Sequence, residues 1–222
     1  MQRIPILLAA AAATLAATPA GAGAAMLSTD SRCYQETAEV VVRAAGFAPL
    51  SIVSVTRDGA PLGTAQADAN GGFENKIVTP ELPAGRQQAT YKLSATDTLS
   101  TATTRYRATR VFADFAPGKG NPSTLRVRFT VNGFGLLSEK AAVYLHYVRP
   151  SGRVARTVRL GKVRGACGAI RRTKPRRLFP FEAERGEWVL QFDTNKRYER
   201  ATARSRFAWV RKPVQVFNRR KG

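Results

Sequence analysis

The sequence predicts an all-β fold built from two tandem antiparallel β-sandwiches. Apolar and polar residues alternate over short runs, and Gly, Pro, Asn and Asp separate these runs at intervals of roughly 8–12 residues. Beyond the N-terminal segment, no window of about 12 residues or more has the apolar periodicity of a helix. A chain of 222 residues with 44% hydrophobic residues is long enough to bury two such cores.

In the first half, short apolar runs end at residues that favour turns. The predicted strands are Val40–Ala44, Ile52–Thr56 and the alternating run Ala89, Tyr91, Leu93 and Ala95. Asp58-Gly59 and Asn70-Gly71 are each predicted to form a tight hairpin turn, because these residue types tolerate positive φ angles.

In the second half the alternation is stricter. Leu125, Val127, Phe129 and Val131 alternate with Arg126, Arg128 and Thr130, which predicts a strand with one core face and one solvent face. Pro150-Ser151-Gly152 separates two further runs, Val143–Val148 and Val154–Leu160, and predicts a hairpin. Trp188, Leu190 and Phe192 are expected to line one face of a later strand.

The N-terminal segment has the pattern of a cleaved secretory signal peptide, predicted over 1–24. Arg3 precedes the apolar run Ile4–Ala17, and Thr18–Ala25 contains two Ala-x-Ala sites, so cleavage is expected after Ala22 or Ala24. A membrane anchor is the alternative, although Pro19 and Gly21 make the run short for a spanning helix. We therefore expect an exported protein, secreted or associated with the cell surface.

Two further boundaries follow from composition. Pro117, Gly118, Gly120 and Pro122 interrupt the pattern within 113–122, which predicts a polar linker. The predicted domains are a sandwich over 25–112, the linker 113–122 and a second sandwich over 123–218.

The charge is confined to one half of the chain. The formal net charge is +21, yet residues 25–116 contain 9 basic and 9 acidic residues, whereas residues 117–222 contain 26 basic and 6 acidic residues. This asymmetry favours an anionic partner for the second half.

The basic residues of the second half are mostly Arg, whose planar guanidinium binds phosphate or carboxylate through two parallel hydrogen bonds. Coding bias or solubility would also enrich Arg, but a bias should act on both halves. We predict a polyanion-binding surface formed by Arg126, Arg128, Arg149, Arg153, Arg156, Arg159, Arg171, Arg172, Lys174, Arg176 and Arg177.

The two halves also resemble each other and a known family. Val42–Phe47 (VRAAGF) parallels Phe129–Phe134 (FTVNGF). Pro83-Ala84-Gly85-Arg86 precedes the predicted strand at Tyr91, as Arg185-Gly186 precedes that at Trp188, which is typical of a diverged tandem repeat. Gly46-Phe47-Ala48-Pro49, Asp58-Gly59, Leu62-Gly63, Ala67-Asp68, Gly72-Phe73 and Pro80–Pro83 resemble the immunoglobulin-like repeats of secreted actinobacterial surface proteins. The second half, with Tyr147–Pro150, Cys167-Gly168 and Leu178–Phe181, is similar to a partner module of uncharacterised exported proteins. The resemblance implies two immunoglobulin-like sandwiches and carries little about function.

The two cysteines, Cys33 and Cys167, lie in different halves. In an oxidising compartment an intramolecular disulfide is the simplest expectation. Two free thiols or an intermolecular disulfide remain alternatives, because the sequence does not give the distance between the two Cα atoms.

We expect no catalytic residue, metal site or cofactor. His146 is predicted to face solvent on a strand, and Glu182, Glu184 and Glu187 are interpreted as salt-bridged loop residues. Asp68–Glu74 lacks the acidic positions that would complete a calcium loop. Eight aromatic residues lie among the arginines, and alternation predicts that most belong to a core: Tyr144, Tyr147, Phe179, Phe181, Tyr198, Phe207, Trp209 and Phe217. Nucleic acid is therefore not expected as the physiological partner.

These observations predict a secreted, non-enzymatic protein that is associated with the envelope or matrix. Its basic second domain would dock on an anionic polymer, and its first domain would serve as a spacer or protein-contact module. One alternative is an adhesion or structural module whose charge serves only solubility, and a carbohydrate-active enzyme with loop carboxylates is another. No segment after the N-terminal run approaches the roughly 20 apolar residues of a spanning helix.

Overall fold

The computed structural model describes residues 24–122, 124–138 and 140–217. These ranges contain fifteen β-strands, and no helix within them is long and apolar enough to cross a membrane. The predicted signal peptide lies outside the described residues, apart from its last position, Ala24.

The first half forms two facing sheets. Its strands are β1 (Met26–Thr29), β2 (Cys33–Gln35), β3 (Glu39–Ala45), β4 (Ile52–Arg57), β5 (Ala60–Gln66), β6 (Phe73–Val78), β7 (Gln88–Thr96) and β8 (Thr101–Thr109). One sheet has the order β1-β3-β6 and the other β2-β8-β7-β4-β5. All pairs are antiparallel except the short parallel pair of β2 with β8. We call this unit the first sandwich.

The core of the first sandwich lies between these sheets. Val40, Val42, Val53, Leu93 and Ala95 are fully buried, as the alternation in β3, β4 and β7 predicts. The predicted turn at Asp58-Gly59 is confirmed, since β4 and β5 pair on either side of it.

The hairpin predicted at Asn70-Gly71 is wrong in one respect. A turn is present, and the Asp68 carboxylate accepts hydrogen bonds from the backbone N–H groups of Asn70 and Gly72 at 2.7 and 2.9 Å. However, the flanking strands β5 and β6 belong to different sheets. The turn therefore carries the chain from one sheet to the other.

The second half repeats this arrangement. Its strands are β9 (Phe112–Ala116), β10 (Arg126–Asn132), β11 (Ala142–Val148), β12 (Val154–Lys162), β13 (Arg176–Arg177), β14 (Gly186–Asp193) and β15 (Trp209–Val216). The sheet orders are β13-β10-β9 and β12-β11-β14-β15. We call this unit the second sandwich. The hairpin predicted around Pro150-Ser151-Gly152 is confirmed by the pairing of β11 with β12.

The predicted core faces of the second sandwich are confirmed. Val127 and Phe129 are fully buried on β10, as are Trp188, Leu190 and Phe192 on β14. Burying each of these larger side chains stabilises the fold by about 2–3 kcal/mol relative to leaving it exposed.

The segment predicted as a linker is partly strand. Its first four residues, 113–116, lie in β9, which pairs with β10. Ala113 and Phe115 are buried and face the second core. The alternation here covers too few residues to stand out beside the Pro and Gly that follow.

The similar segments Val42–Phe47 and Phe129–Phe134 occupy equivalent positions in the two sandwiches. Gly46 and Gly133 follow the central strands β3 and β10 with φ of 78° and 79°, and Phe47 and Phe134 after them are buried. With the shared order of strands, this confirms the predicted fold class of two tandem immunoglobulin-like β-sandwiches.

A disulfide and a buried side chain hold the junction between the sandwiches. Cys33 and Cys167 form a disulfide with their Cα atoms 5.2 Å apart, so the predicted intramolecular pairing is confirmed. The buried Asn132 amide donates hydrogen bonds to Gln87 O at 2.9 Å and to Thr109 Oγ1 at 2.6 Å.

The loop that carries Cys167 also contacts the loop after β10. Phe134 N donates to Gly168 O at 3.1 Å, and Gly135 N donates to Cys167 O at 3.2 Å. A Cβ atom at Gly168 would lie 2.0 Å from Gly135 N, so these two backbones approach as closely as they do only because both residues are glycine.

Candidate polyanion-binding surface

A groove lies beside two of the edge strands of the second sandwich, β12 and β13. It has a volume of about 850 Å³ and is bordered by the end of β12 and by the segment that leads to β13. Six of its twelve lining residues are basic: Lys162, Arg164, Arg171, Arg172, Lys174 and Arg176. None of the lining residues is acidic. We call it the basic groove.

Backbone pairing with β10 fixes the segment that carries four of these side chains. Ile170 exchanges two backbone hydrogen bonds with Val131, each 3.0 Å long. Thr173 N donates to Phe129 O at 3.0 Å, and the Thr173 hydroxyl accepts Phe129 N at 2.9 Å. Thr173 is buried, whereas the neighbouring Arg171, Arg172 and Lys174 are exposed.

A second, smaller groove continues from the basic groove toward the other end of β12. It has a volume of about 380 Å³ and shares Lys174 and Arg176 with the basic groove, while Arg156 and Arg177 complete its basic lining. We call it the flanking groove. Arg156 and Lys162 are six residues apart on β12, so the two grooves together follow about 20 Å of this edge strand.

The charges in the flanking groove also act on a buried hydroxyl. Burial raises the pKa of the Tyr147 hydroxyl above its ordinary value, while the positive charges of Arg176 and Arg156 act in the opposite direction. Arg156 and Arg176 are therefore close enough to Tyr147 for their positive charges to act on its hydroxyl.

The structure brings together part of the predicted surface. Arg156, Arg171, Arg172, Lys174, Arg176 and Arg177 line the two grooves. Arg126 pairs across the sheet with Arg177, and its guanidinium donates to Pro175 O at 3.4 Å. Arg128 donates to Thr173 O at 3.3 Å, so both lie beside the basic segment.

The remaining three predicted residues lie elsewhere. Arg149 forms an ion pair with Glu184 at 3.4 Å and lies over the Trp188 ring, so its charge is partly neutralised. Arg153 is exposed next to the turn at the end of the β11–β12 hairpin. Arg159 lies on β12 opposite Tyr144 of β11. Its side chain is on the other face of the strand from that of Arg156. None of these three lines either groove.

Two groove residues were not among the predicted set. Lys162 and Arg164 follow the strand Val154–Leu160 in the sequence, and they line the basic groove. For Arg164 the available signal was its proximity to Cys167, because the disulfide fixes the loop that contains both residues, whereas Lys162 ends β12.

His146 is the clearest error of the sequence analysis. It was predicted to face solvent, but its side chain is completely buried. Nδ1 is hydrogen-bonded to Thr157 Oγ1 at 2.8 Å, and Nε2 lies 3.1 Å from both Asp193 Oδ1 and Asn195 O. Because both partners of Nε2 are acceptors, this nitrogen carries a proton.

The loop between β14 and β15 explains this burial. It folds over the outer face of the sheet, where the Gln191 amide donates to Asp193 Oδ2 and Glu199 O, each at 2.7 Å. His146, Gln191 and Asp193 therefore fasten the loop to the sheet. With both ring nitrogens hydrogen-bonded and no exposure, His146 is not placed for acid–base chemistry on an external substrate.

The other predicted residues follow their expected roles only in part. Of the three glutamates, Glu184 forms an ion pair, with Arg149. Tyr147, Phe179 and Phe181 pack with Trp188 in one aromatic cluster of the core. Phe217 is 73% exposed, and the core does not include Tyr144, Tyr198, Phe207 or Trp209, so the prediction that most of the eight aromatic residues belong to a core is wrong. Tyr147 is the sole aromatic residue that lines either groove, and it is buried.

The two sandwiches place the chain in the immunoglobulin-like class of β-proteins. No protein-family model matches the chain, and no curated protein matches it. Among solved structures it is similar to the human OSCAR ligand-binding domain, with 11% identity, a TM-score of 0.36 and coverage of 87% of this chain and 98% of that chain.

Two further solved structures are similar at a comparable level. The fibronectin(III)-like modules of Clostridium thermocellum CbhA have 13% identity and a TM-score of 0.31, with coverage of 86% of this chain and 93% of that one. A segment of two fibronectin type-III domains from chicken tenascin has 13% identity and a TM-score of 0.28, with coverage of 86% and 97%. The fold assigned above rests on the pairing of the strands.

Proposed function

We propose that the protein is a secreted, non-enzymatic binding protein whose second sandwich docks on an anionic polymer of the cell envelope or extracellular matrix. The observation that carries this proposal is the lining of the basic groove, which has six basic and no acidic residues. Such a surface attracts a polyanion over distances of about 10 Å at moderate ionic strength.

Within the part of the chain that the structure describes, the charged groups of the basic groove lack acidic partners. No described carboxylate forms an ion pair with Arg164, Arg171, Arg172 or Lys174. Because Arg binds phosphate or carboxylate through paired hydrogen bonds, these free guanidinium groups are suited to a polymer that carries either group. The Cys33–Cys167 disulfide supports export, since disulfides persist in oxidising compartments.

The test compares two variants with the same change in charge. Arg171→Ser/Arg172→Ser/Lys174→Ser removes three charges from the basic groove, and we call it the groove variant. Arg197→Ser/Arg200→Ser/Arg204→Ser removes three exposed charges from the β14–β15 loop, and we call it the loop variant. Retention of the full chain is measured on immobilised polygalacturonate and on immobilised poly(glycerol phosphate).

We expect the groove variant to lose at least about tenfold in affinity for one or both polymers, while the loop variant changes little. Equal losses for the two variants would mean that net charge alone drives the binding. No retention of the wild-type chain on either polymer would overturn the proposal.

A second candidate function is adhesion to another protein through the first sandwich. Leu50, Ile52 and Leu99 are 64%, 62% and 81% exposed and lie at the end of the first sandwich away from the junction. Asp97 joins the two loops concerned by accepting Ala48 N at 2.8 Å and the Ser51 hydroxyl at 3.2 Å. If this function holds, the wild-type chain binds the envelope even at high salt. Leu50→Ser/Leu99→Ser then abolishes this salt-resistant binding, and the groove variant retains it.

A further inference from the structure

Three arginines of the first sandwich face the junction, and none of them forms an ion pair with a described carboxylate. Arg32 precedes Cys33, while Arg105 and Arg107 lie on the exposed face of β8. They line a groove of about 600 Å³ that also includes Ala166 of the second sandwich, and no lining residue is acidic. We call this the first-sandwich groove.

Most carboxylates of the first sandwich are engaged in ion pairs or in turns, and Asp58 accepts the backbone N–H of Lys92, the residue opposite Arg105, at 2.9 Å. Glu36, Glu39 and Glu74 form ion pairs with Arg110, Lys76 and Arg43. Asp68 and Asp97 accept backbone N–H groups in turns. A net charge of zero over this half therefore conceals a local cluster of unneutralised arginines at the junction.

The backbone holds these arginines in place. Arg107 N donates to Arg32 O at 3.1 Å, and β2 and β8 pair directly at Cys33 and Arg107. Lys92 lies opposite Arg105 on the neighbouring strand. Like charges directly opposite each other destabilise a sheet, so an external anion would relieve an unfavourable interaction here.

A fourth groove connects the two sandwiches. It has a volume of about 180 Å³, shares Thr90 and Arg107 with the first-sandwich groove, and shares Arg164 and Arg171 with the basic groove. Cys167 is part of its lining. We call it the junction groove. Since neighbouring grooves share lining residues, the four lie side by side in a series from Arg105 to Arg177, which we call the arginine track.

The lining of the arginine track restricts the chemistry of its occupant. Its two aromatic residues, Tyr106 and Tyr147, are each only 1% exposed. The path therefore offers no ring on which a base or a sugar face could stack. Recognition has to act through the charged groups of the polymer and through hydrogen bonds to its hydroxyls.

We propose that a single extended polyol-phosphate polymer lies along the arginine track and crosses the junction, with its phosphodiester groups bound by arginines of both sandwiches. This inference rests on the proposed function and names the path and chemical class of its ligand. The disulfide between Cys33 and Cys167 keeps the two halves of the track aligned before binding, which lowers the cost of ordering the site.

The test uses poly(glycerol phosphate) as the probe, both as a long polymer and as oligomers of a few units. Arg32→Ser/Arg105→Ser/Arg107→Ser, the junction variant, removes three charges from the first sandwich. The groove and loop variants remove the same number from the second sandwich. Affinity is measured for the full chain by calorimetry, after circular dichroism and a free-thiol assay have shown that each variant is folded and disulfide-bonded.

We expect the junction variant to bind the long polymer about tenfold more weakly than wild type and to bind the short oligomers as wild type does, because these fit within the second sandwich. The loop variant should bind both as wild type does. If the junction variant binds the long polymer as tightly as wild type while the groove variant loses binding, the crossing path is refuted and the proposed function stands. If neither the junction variant nor the groove variant loses affinity, both the crossing path and the proposed function are refuted.

A second arm tests the chemical class. The long polymer is replaced with polygalacturonate of similar charge, which presents carboxylates on sugar rings. Weaker binding of the uronate polymer supports the phosphodiester assignment, and equal or tighter binding overturns it.

Discussion

The two sandwiches share one strand order but use their charged residues differently. In the first, carboxylates pair with basic residues or organise turns, as Glu36 does with Arg110 and Asp68 with backbone N–H groups. In the second, few carboxylates are present, and arginines cluster at the open edge beside β12 and β13. The comparison shows that the same scaffold supports a neutral and a strongly basic surface, because the charges lie outside the two cores.

Removing the disulfide that links the two sandwiches should have the largest effect on stability. Cys33→Ser/Cys167→Ser removes a disulfide with a sequence separation of 134 residues. Loop-closure entropy predicts a loss of about 5 kcal/mol in the free energy of unfolding. Urea unfolding, followed by tryptophan fluorescence, measures the loss, and the reduced wild-type protein is the control. A loss under about 1 kcal/mol would show that the disulfide is not the main restraint at the junction.

The close approach of the two loops at the junction provides a more local test. In Gly168→Ala, the new Cβ would lie 2.0 Å from Gly135 N, at a φ of +68°. We expect a destabilisation of about 3 kcal/mol, because backbone atoms have to move. Gly152→Ala, at a similar φ of +81° but with open space around the site, is the matched control and should cost about 1 kcal/mol. Equal losses of stability in the two variants would show that the positive φ, and not the close contact with Gly135, causes the destabilisation.

The buried network under the β14–β15 loop distinguishes the second sandwich. His146→Ala removes the proton donor to Asp193 and Asn195 and should cost about 2–3 kcal/mol. Thr157→Val removes one hydrogen bond to the same ring and should cost about 1 kcal/mol. Chemical denaturation gives both values, and protease cleavage in 194–208 reports on the loop. An unchanged cleavage rate in His146→Ala would contradict the fastening role.

The smallest effect concerns the charge pairing of the first sandwich. Hydrogen bonding from Arg110 lowers the pKa of Glu36 below its ordinary value. A carboxylate with a lowered pKa stabilises the fold above its unfolded pKa of about 4.3, and this contribution is lost as pH falls through its folded pKa. The difference in stability between wild type and Glu36→Gln should be constant near neutral pH and should decrease below about pH 4.

The matching control for this pH effect is Arg110→Gln, which removes the other partner of the pair. It should abolish the same pH-dependent part of the stability. A difference between wild type and Glu36→Gln that persists unchanged to low pH would contradict the assignment to this ion pair.

The sequence predicted seven of the fifteen strands and their core faces, because alternation is a local signal. It favoured the intramolecular disulfide because pairing is the simplest outcome for two cysteines. It failed at His146 since alternation assigns a residue to a face of the sheet but does not show whether a loop covers that face. Asn70-Gly71 predicted a turn but not which sheets its strands join, because that depends on pairings distant in the sequence.

The candidate surface was predictable only in part for a related reason. Counting charges over a whole half of the chain identified the basic segment Arg171–Arg177. The same counting concealed Arg32, Arg105 and Arg107, since the carboxylates that balance them in the sum lie on other parts of the first sandwich. Only the three-dimensional arrangement separates neutralised from free charges.

Arginines at defined places, rather than net charge, should determine the binding of an anionic polymer. The most direct test is the slope of log affinity against log salt concentration for poly(glycerol phosphate), measured for the wild-type chain, the groove variant and the loop variant. We predict that the magnitude of this negative slope is smaller by about 2–3 for the groove variant, as expected for three lost phosphate contacts. The loop variant should have the same slope as wild type. Equal slopes for the groove and loop variants would contradict the claim.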